Sequence, residues 1–268
     1  MTNDNSPEPA LEKGERIAKR IARSGLCSRR DAERWIAEGR VVVDGHKLAS
    51  PAHLVTEASN IVVDGKPLQA AQATRLWRYH KPRGLITTHR DPQGRPTLFE
   101  RLPAGLPRVI SIGRLDFNSE GLLLLTNDGA LARRLELPAT GWLRRYRVRV
   151  HGEIDAARLL KLADGIEIDG VRYGAIQAAI DSRKGSNAWL TMSLREGKNR
   201  EVRRVVEALG GTVTRLIRIA YGPFQLGYLA EGAAEEVPAR VMREQLGPGD
   251  GAGARKRGAL RDRADRRR

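Results

Sequence analysis

Gly113-Arg114-Leu115-Asp116-Phe117-Asn118-Ser119-Glu120-Gly121 runs straight into Leu122-Leu123-Leu124-Leu125-Thr126-Asn127-Asp128-Gly129. An acid sits in a short segment bounded by glycines, an apolar run of strand length follows, and Asn-Asp-Gly closes it with a turn signal. Four consecutive leucines suit a strand buried on both faces or a segment of buried helix. The short length and the flanking glycines favour the strand. Asp116 then stands at the rim of a sheet, on a loop anchored by a rigid core element, where catalytic groups are commonly carried. Taken alone, an Asp beside glycine is more often a turn former.

Around this stretch lie 268 residues, enough for one large domain or two modest ones. Lys and Arg number 48 against 32 Asp and Glu, a formal charge of +16. That balance points to a polyanionic partner, nucleic acid first and an anionic membrane second. No apolar run has the length of a membrane-spanning helix, and the polar, acid-containing N-terminus does not read as a signal peptide, so a membrane partner is not expected. One cysteine, Cys27, excludes an intrachain disulfide and fits a reducing cytoplasm. His46, His53, His80, His89 and His151 show no metal-ligand spacing, and no metal is expected.

Upstream, residues 1–13 read as a disordered leader. From Glu15 the apolar positions Ile17, Ala18, Ile21 and Ala22 predict a helix that stops at Gly25. Ser28 and Asp31 form a capping-box pattern that opens a second helix running to Gly39, with Ala32, Trp35 and Ile36 on its apolar face. Arg16, Lys19, Arg20 and Arg23 coat the first helix. Arg29 and Arg30 occupy the first turn of the second, where the macrodipole disfavours cations, and Arg34 lies one turn beyond Arg30. A charge run is most often a solvated face; placement against the dipole favours a phosphate-binding surface instead. Val41-Val42-Val43-Asp44-Gly45 and Ile61-Val62-Val63-Asp64-Gly65 are β-branched runs closed by hairpin signals. Gln69 to Thr74 reads as a linker.

A larger domain opens with Leu76 to Tyr79, a turn over Lys81-Pro82-Arg83-Gly84, and a second strand over Leu85 to Thr88. Residues 91–96 form a loop containing Arg95. Beyond the leucine run, Ala130 to Leu137 predicts a short helix ending at Pro138, and Trp142 to Val150 an alternating strand. Asn199 opens a helix that ends near Gly210, with Val202, Val205, Val206 and Leu209 as its apolar stripe. Arg200 and Arg204 point away from that stripe, and Arg203 borders it. Thr212 to Ile219 reads as a strand and Pro238 to Leu246 as a closing helix. Residues 247–268 read as a disordered basic tail, and 255–268 alone carry a net +6.

The Gly113–Gly129 segment resembles the signature of ribosomal RNA pseudouridine synthases of the RsuA/RluB kind, with Ser119 where Thr is more usual. Lys81 to Gly84, the 91–96 loop, Arg144-Arg145-Tyr146 and Gly197 to Arg204 resemble further segments of that family. Arg144 replaces the more usual Lys, a swap that keeps charge without keeping geometry. Gly25 to Arg34 and Gly39 to Gly45 resemble the S4 RNA-binding module, covering residues 14 to about 68. The resemblance implies an α+β chain: an S4-like domain with its linker at 14–73, then a catalytic domain at 74–246 built on a mixed, largely antiparallel β-sheet. It implies isomerisation of a uridine in ribosomal RNA to pseudouridine, without a cofactor.

The roles that the family's pattern assigns are Asp116 as nucleophile, Tyr146 against the target base, and Arg203 as partner of Asp116, with Arg200 as the alternative. Without the motif, Tyr146 would read as a cross-strand packing residue. Lys81, Arg83, Arg95, Arg114, Arg144, Lys198 and Arg200 join the helical cations as expected RNA contacts. The expected partner is ribosomal RNA or an assembly intermediate, met by a protein expected to be a cytoplasmic monomer. The tail favours 23S over 16S rRNA. An S4-containing binding protein without chemistry would explain the first domain and the charge but not the Asp116 segment. A methyltransferase would need a Gly-rich cofactor loop, and none is evident.

Overall fold

In the computed structural model, residues 14–247 are described. The expected leader and all but the first residue of the expected tail lie outside them. The small domain begins with β1 (Glu15–Arg16), α1 (Ile17–Arg23) and α2 (Arg29–Ala37). It continues through β2 (Val41–Val43), β3 (His46–Lys47), β4 (Leu54–Val55), β5 (Ile61–Val63) and β6 (Lys66–Pro67). The first helix starts two residues later than its periodicity predicts, because Glu15 and Arg16 pair with β4 instead. The capping box is present: Ser28 Oγ accepts from Asp31 N at 3.0 Å, and Ser28 N donates to the Asp31 carboxylate at 3.3 Å. Asp44 and Gly45, at φ +50° and +83°, turn β2 into β3, and Asp64 and Gly65 do the same between β5 and β6. Both turns use the left-handed region that two-residue hairpins require. Ile17, Ile21, Ile36, Val41 and Cys27 are buried in one core between the helices and these strands.

The larger domain comprises β7 (Leu76–Lys81), β8 (Ile110–Ile112), β9 (Glu120–Thr126), α3 (Gly129–Glu136), β10 (Arg144–His151) and α4 (Ala156–Lys161). It goes on through β11 (Ile166–Ile168), β12 (Val171–Tyr173), β13 (Ile176–Lys184), β14 (Asn187–Leu194) and α5 (Glu201–Ala208). It ends with β15 (Thr212–Tyr221), β16 (Phe224–Gln225), β17 (Ala234–Glu236) and α6 (Ala239–Leu246). Its main sheet runs β13-β14-β10-β15-β9-β7-β17, with β16 added to β15 and β8 to β9. Every pairing in it is antiparallel except β9 with β15, so the sheet is mixed and largely antiparallel as expected.

The leucine run is β9, and all four leucines are fully buried. Leu123 and Leu125 join the core that includes α5 residues Val202, Val205 and Val206. Leu122 and Leu124 join the opposite core, with Leu131 and Leu135 of α3 and Met242 of α6. Burial on two faces removes the alternation that a one-sided strand shows, which is why the run reads as continuous. One predicted strand is absent. Residues 85–88 make a single bridge, Ile86 with Thr97, because hydrogen bonds to Pro96 and Leu98 hold Ile86 in a loop. The strand expected from Trp142 begins at Arg144. The helix expected from Asn199 begins at Glu201, since Arg200 sits at φ +52° and cannot continue it backwards.

Candidate active site

The loop between β8 and β9 carries Asp116, and the carbonyls from Leu115 to Ser119 each accept a hydrogen bond. Thr87 Oγ1 donates to Leu115 O at 2.9 Å, and Gly84 N donates to Phe117 O at 2.8 Å. Lys81 Nζ donates to Asp116 O at 3.2 Å and to Ser119 O at 2.9 Å, and its third bond goes to Pro82 O at 2.9 Å. Arg203 Nη2 donates to Asn118 O at 3.0 Å and Nη1 to Val213 O at 3.2 Å. A loop at a sheet rim has no ladder to satisfy its carbonyls, so two buried cations, a hydroxyl and the backbone N–H of Gly84 supply the donors. The Asp116 backbone is thereby held, while its half-buried carboxylate faces a cavity.

A close backbone approach completes the floor. Gly121 in β9 pairs with Arg218 in β15 at φ +103°, and a Cβ there would lie 2.3 Å from Arg218 O. Only glycine allows the parallel strands to meet at this spacing.

The cavity, of about 960 Å³, is lined by Asp116, Tyr146, Arg114, Arg200 and Arg218 together with Thr87, Phe117, Glu201 and other residues. Its lining contains six basic side chains and three acidic ones, which suits an anionic ligand. Tyr146 is 8 % exposed; its ring belongs to the apolar core and also borders the cavity. The packing expected of Tyr146 from strand alternation is thus present, and the residue also reaches the cavity wall.

The electrostatics follow from burial. Lys81 is fully buried and its amine is pushed down to about 8 by burial, with Asp116 and Glu120 opposing that shift. Burial, and next the charge of Arg200, push the Arg203 guanidinium below its ordinary value, while Asp116 pulls it back up. Glu201 caps the turn before α5 by accepting from Lys198 N at 2.8 Å. Burial pushes its carboxyl up to about 7, and the neighbouring Glu196 adds to the shift.

The expected site residues divide into distinct groups. Lys81, expected as an RNA contact, is corrected to an internal clamp: with no exposed surface and three carbonyl acceptors, it cannot reach a phosphate. Arg203 is buried and Arg204 exposed, as the helical wheel predicts; Arg200 is exposed too, but as the left-handed residue that precedes α5. Arg203 meets the Asn118 carbonyl rather than forming an ion pair with the Asp116 carboxylate, because the bare carbonyls of the loop are the nearer acceptors. Arg200 is at the cavity wall. Arg144 lines the cavity but donates to Arg195 O at 2.6 Å and lies over the Tyr221 ring. Lys198 and Arg95 also line it, paired with Glu196 and Asp91 respectively. Lys19 and Arg20 face Glu15, and Arg34 faces Asp31 and Glu38. Arg16, Arg29, Arg30, Arg83 and Arg114 are exposed and form no ion pair among the described residues. Arg23 is half-buried beside Asp128.

Sequence reasoning missed Arg218 and Thr87. Arg218 is 3 % exposed, donates to Leu122 O at 2.7 Å and lies under the cavity beside Tyr221. A signal was present: Arg218 shares the parity of Leu216 and Ala220 in β15, so a charge stands on the buried face of a strand. Thr87 carries no such mark.

Comparison with known proteins identifies the family. The RNA pseudouridylate synthase family profile matches residues 75–208 and the S4 domain profile matches 15–62. The chain is 50% identical over 230 residues to an uncharacterised RNA pseudouridine synthase of Rickettsia felis, covering 85% of this chain and 99% of that one. It is 41% identical over 256 residues to the ribosomal large subunit pseudouridine synthase B of Pseudomonas aeruginosa, covering 91% of this chain and 66% of that one. The Shigella flexneri protein of the same name is 43% identical over 219 residues, covering 79% and 75%. A crystal structure of a pseudouridylate synthase superposes with a TM-score of 0.59 at 25% identity, covering 86% of this chain and 99% of that one. With a catalytic-family match across the mixed sheet and an S4 match across the small domain, this chain belongs to the RNA pseudouridylate synthases, isomerases that convert uridine in RNA to pseudouridine.

Proposed function

We propose that this enzyme isomerises one uridine, or a very few, in 23S ribosomal RNA, with Asp116 as the nucleophile. The observation that carries the reading is the clamp beneath the Asp116 loop. A carboxylate whose backbone is fixed by Lys81, Arg203, Thr87 and Gly84 opens onto a basic cavity that also contains Tyr146. The reaction breaks the bond from N1 of uracil to the ribose, turns the base, and joins C5 to the same ribose carbon. The C5 proton leaves and N1 gains one, so no oxidant or group donor enters the balance. Fixed positioning of the attacking group removes much of the entropic barrier to such a step.

A uridine within folded RNA must leave its stack to reach Asp116, and the Tyr146 ring offers a surface for the flipped base. Arg114, exposed beside Asp116, is placed to fill the vacated space or hold a phosphate. Arg203 acts as a positioning residue through the Asn118 carbonyl. Residues 14–73 serve as the RNA-holding domain and 74–246 as the catalytic domain of a cytoplasmic monomer. The relatives whose names specify the ribosomal large subunit support the choice of 23S over 16S. Among the described residues, no helix is long and apolar enough to cross a membrane.

Asp116→Asn keeps size and fold. RNA treated with it should contain no new pseudouridine, with RNA affinity within about threefold of wild type. Carbodiimide mapping of both ribosomal RNAs, from cells with and without the protein, reads the target. A missing stop in 16S rRNA alone would overturn the substrate and leave the chemistry standing. Turnover by Asp116→Asn would overturn the nucleophile.

A further inference from the structure

A second pocket, of about 330 Å³, lies beside the catalytic cavity and is lined by the 102–109 segment with His89 and Phe99. The two share one stretch of chain: Ile86, Thr87 and Thr88 line the catalytic cavity and His89, the next residue, lines the pocket. The His89 and Phe99 rings are stacked, with centroids 3.6 Å apart and planes 14° apart. Phe99 is half-buried against the main core, so it anchors the stack, while His89 is exposed. A stack anchored at one end and open at the other is a platform for a further flat ring.

The surroundings select the kind of ring. The rest of the lining is apolar, Leu102, Pro103 and Leu106 among it, with Arg108 as its only permanent charge and no acid. Arg90 follows His89 directly and is exposed. Asp31 of the small domain is held below the ordinary carboxylate range by its Ser28 hydrogen bonds and by the charges of Arg34 and Arg90. The Arg29 guanidinium of α2 meanwhile rests against Gly129 of the catalytic domain. The pocket and the cavity of Asp116 thus adjoin through residues 86–89, and the small domain approaches the same catalytic domain at Gly129.

We propose that this pocket holds an unpaired nucleobase of the substrate RNA, stacked on the open face of His89, with Arg90 and Arg108 facing the adjoining phosphates. The inference rests on the reading that a folded RNA spans both domains. It adds a second extruded base near the target uridine. Two bases held at separate points would decide which nucleotide sits over Asp116, whereas phosphate contacts position an RNA without reading its bases.

The test uses the full chain and a single-stranded RNA dodecamer carrying one 2-aminopurine, whose fluorescence falls on stacking. Wild type and Asp116→Asn should both quench the probe. His89→Ala should lose the quench and bind between about fivefold and a hundredfold more weakly, the range for one base–aromatic stack. His89→Phe, which keeps a flat ring and discards the imidazole nitrogens, should restore both. Equal quenching by wild type and His89→Ala, or no quenching by wild type, overturns the pocket. So does failure of His89→Phe to restore what His89→Ala loses. The ribosomal target is read separately, from the position of pseudouridine made by wild type, so an error there leaves the quenching result intact.

Discussion

The cations beneath Asp116 and those on the small domain's helices are the same residue types put to opposite uses. Lys81, Arg203 and Arg218 are buried, and the bonds they make go to backbone carbonyls rather than to carboxylates. Arg29 and Arg30 are exposed and free of ion pairs among the described residues. A buried ammonium facing only carbonyls gives up much of its hydration, and the three carbonyl bonds of Lys81 use all three of its protons. It serves geometry. An exposed guanidinium without a partner keeps its hydration and serves attraction, at a strength that salt controls. Total charge, the most visible property of this sequence, does not distinguish the two.

The largest test of that contrast is steric. Gly121→Ala would drive a Cβ into the Arg218 backbone at a φ of +103°, where neither strand can yield. We expect a loss of about 3–5 kcal/mol from strain and overpacking together, read by urea denaturation. Gly45→Ala, with φ +83° and open space around it, should cost only about 1–2 kcal/mol. Similar losses at both sites would mean the floor beneath Asp116 is no more rigid than a surface hairpin.

Next comes titration of Lys81. Its folded value of about 8 lies below its ordinary 10.5, so between these the unfolded chain holds the proton that the folded chain has released. Stability due to this residue therefore rises with pH across that window, and the cost of burying the charge is fully present below it. Compared with Lys81→Met, wild type should gain about 2–3 kcal/mol between pH 8 and 10.5. A constant difference between the two, followed by denaturant titration at each pH, would show that Lys81 carries its charge throughout.

Arg203→Met should lower kcat/KM by about a hundredfold while leaving the circular dichroism spectrum unchanged, because Asn118 loses its donor and the Asp116 loop gains freedom. Combined with Asp116→Asn it should be no worse than Asp116→Asn alone, as expected of residues acting as one unit. An active Arg203→Met beside an inactive Arg200→Met would transfer the positioning role to the exposed arginine.

The smallest effect belongs to the exposed set. Each phosphate contact removed takes about 0.9 from the slope of log affinity against log salt, on the duplex DNA scale. Arg29→Ala with Arg30→Ala should lower the slope by nearly two units. Arg34→Ala should change it little, since that side chain already faces Asp31 and Glu38. Equal changes would mean that ion pairing within the domain does not decide which arginines reach RNA.

Much of this was legible in the chain because its causes are local. The Ser28–Asp31 box spans four residues, and the hairpin turns need only Asp-Gly between β-branched runs. The order Gly113 to Gly129 already contains loop, acid, buried strand and turn. Four apolar residues in a row report burial on both faces without saying what covers either one. The stripe on α5 separates Arg203 from Arg204 by angle alone, whereas the left-handed turn that takes Arg200 out of the helix leaves no such mark in the pattern.

What the chain could not disclose depends on partners far apart in sequence. Arg203 meets Asn118 across 85 residues, Arg218 meets Leu122 across 96, and Lys81 meets Ser119 across 38. Lys81 beside Pro82-Arg83-Gly84 has the local look of an exposed basic turn, and only the return of the Asp116 loop over it turns the amine inward. Residues 85–88 have strand composition, yet bonds to Pro96 and Leu98 hold Ile86 in a loop. Local pattern determined which segments are helix, strand and turn, because those preferences act over one to four residues. Tertiary structure decided which cations are buried and which are free, because that depends on which carbonyls and carboxylates the folded chain brings within about 3 Å.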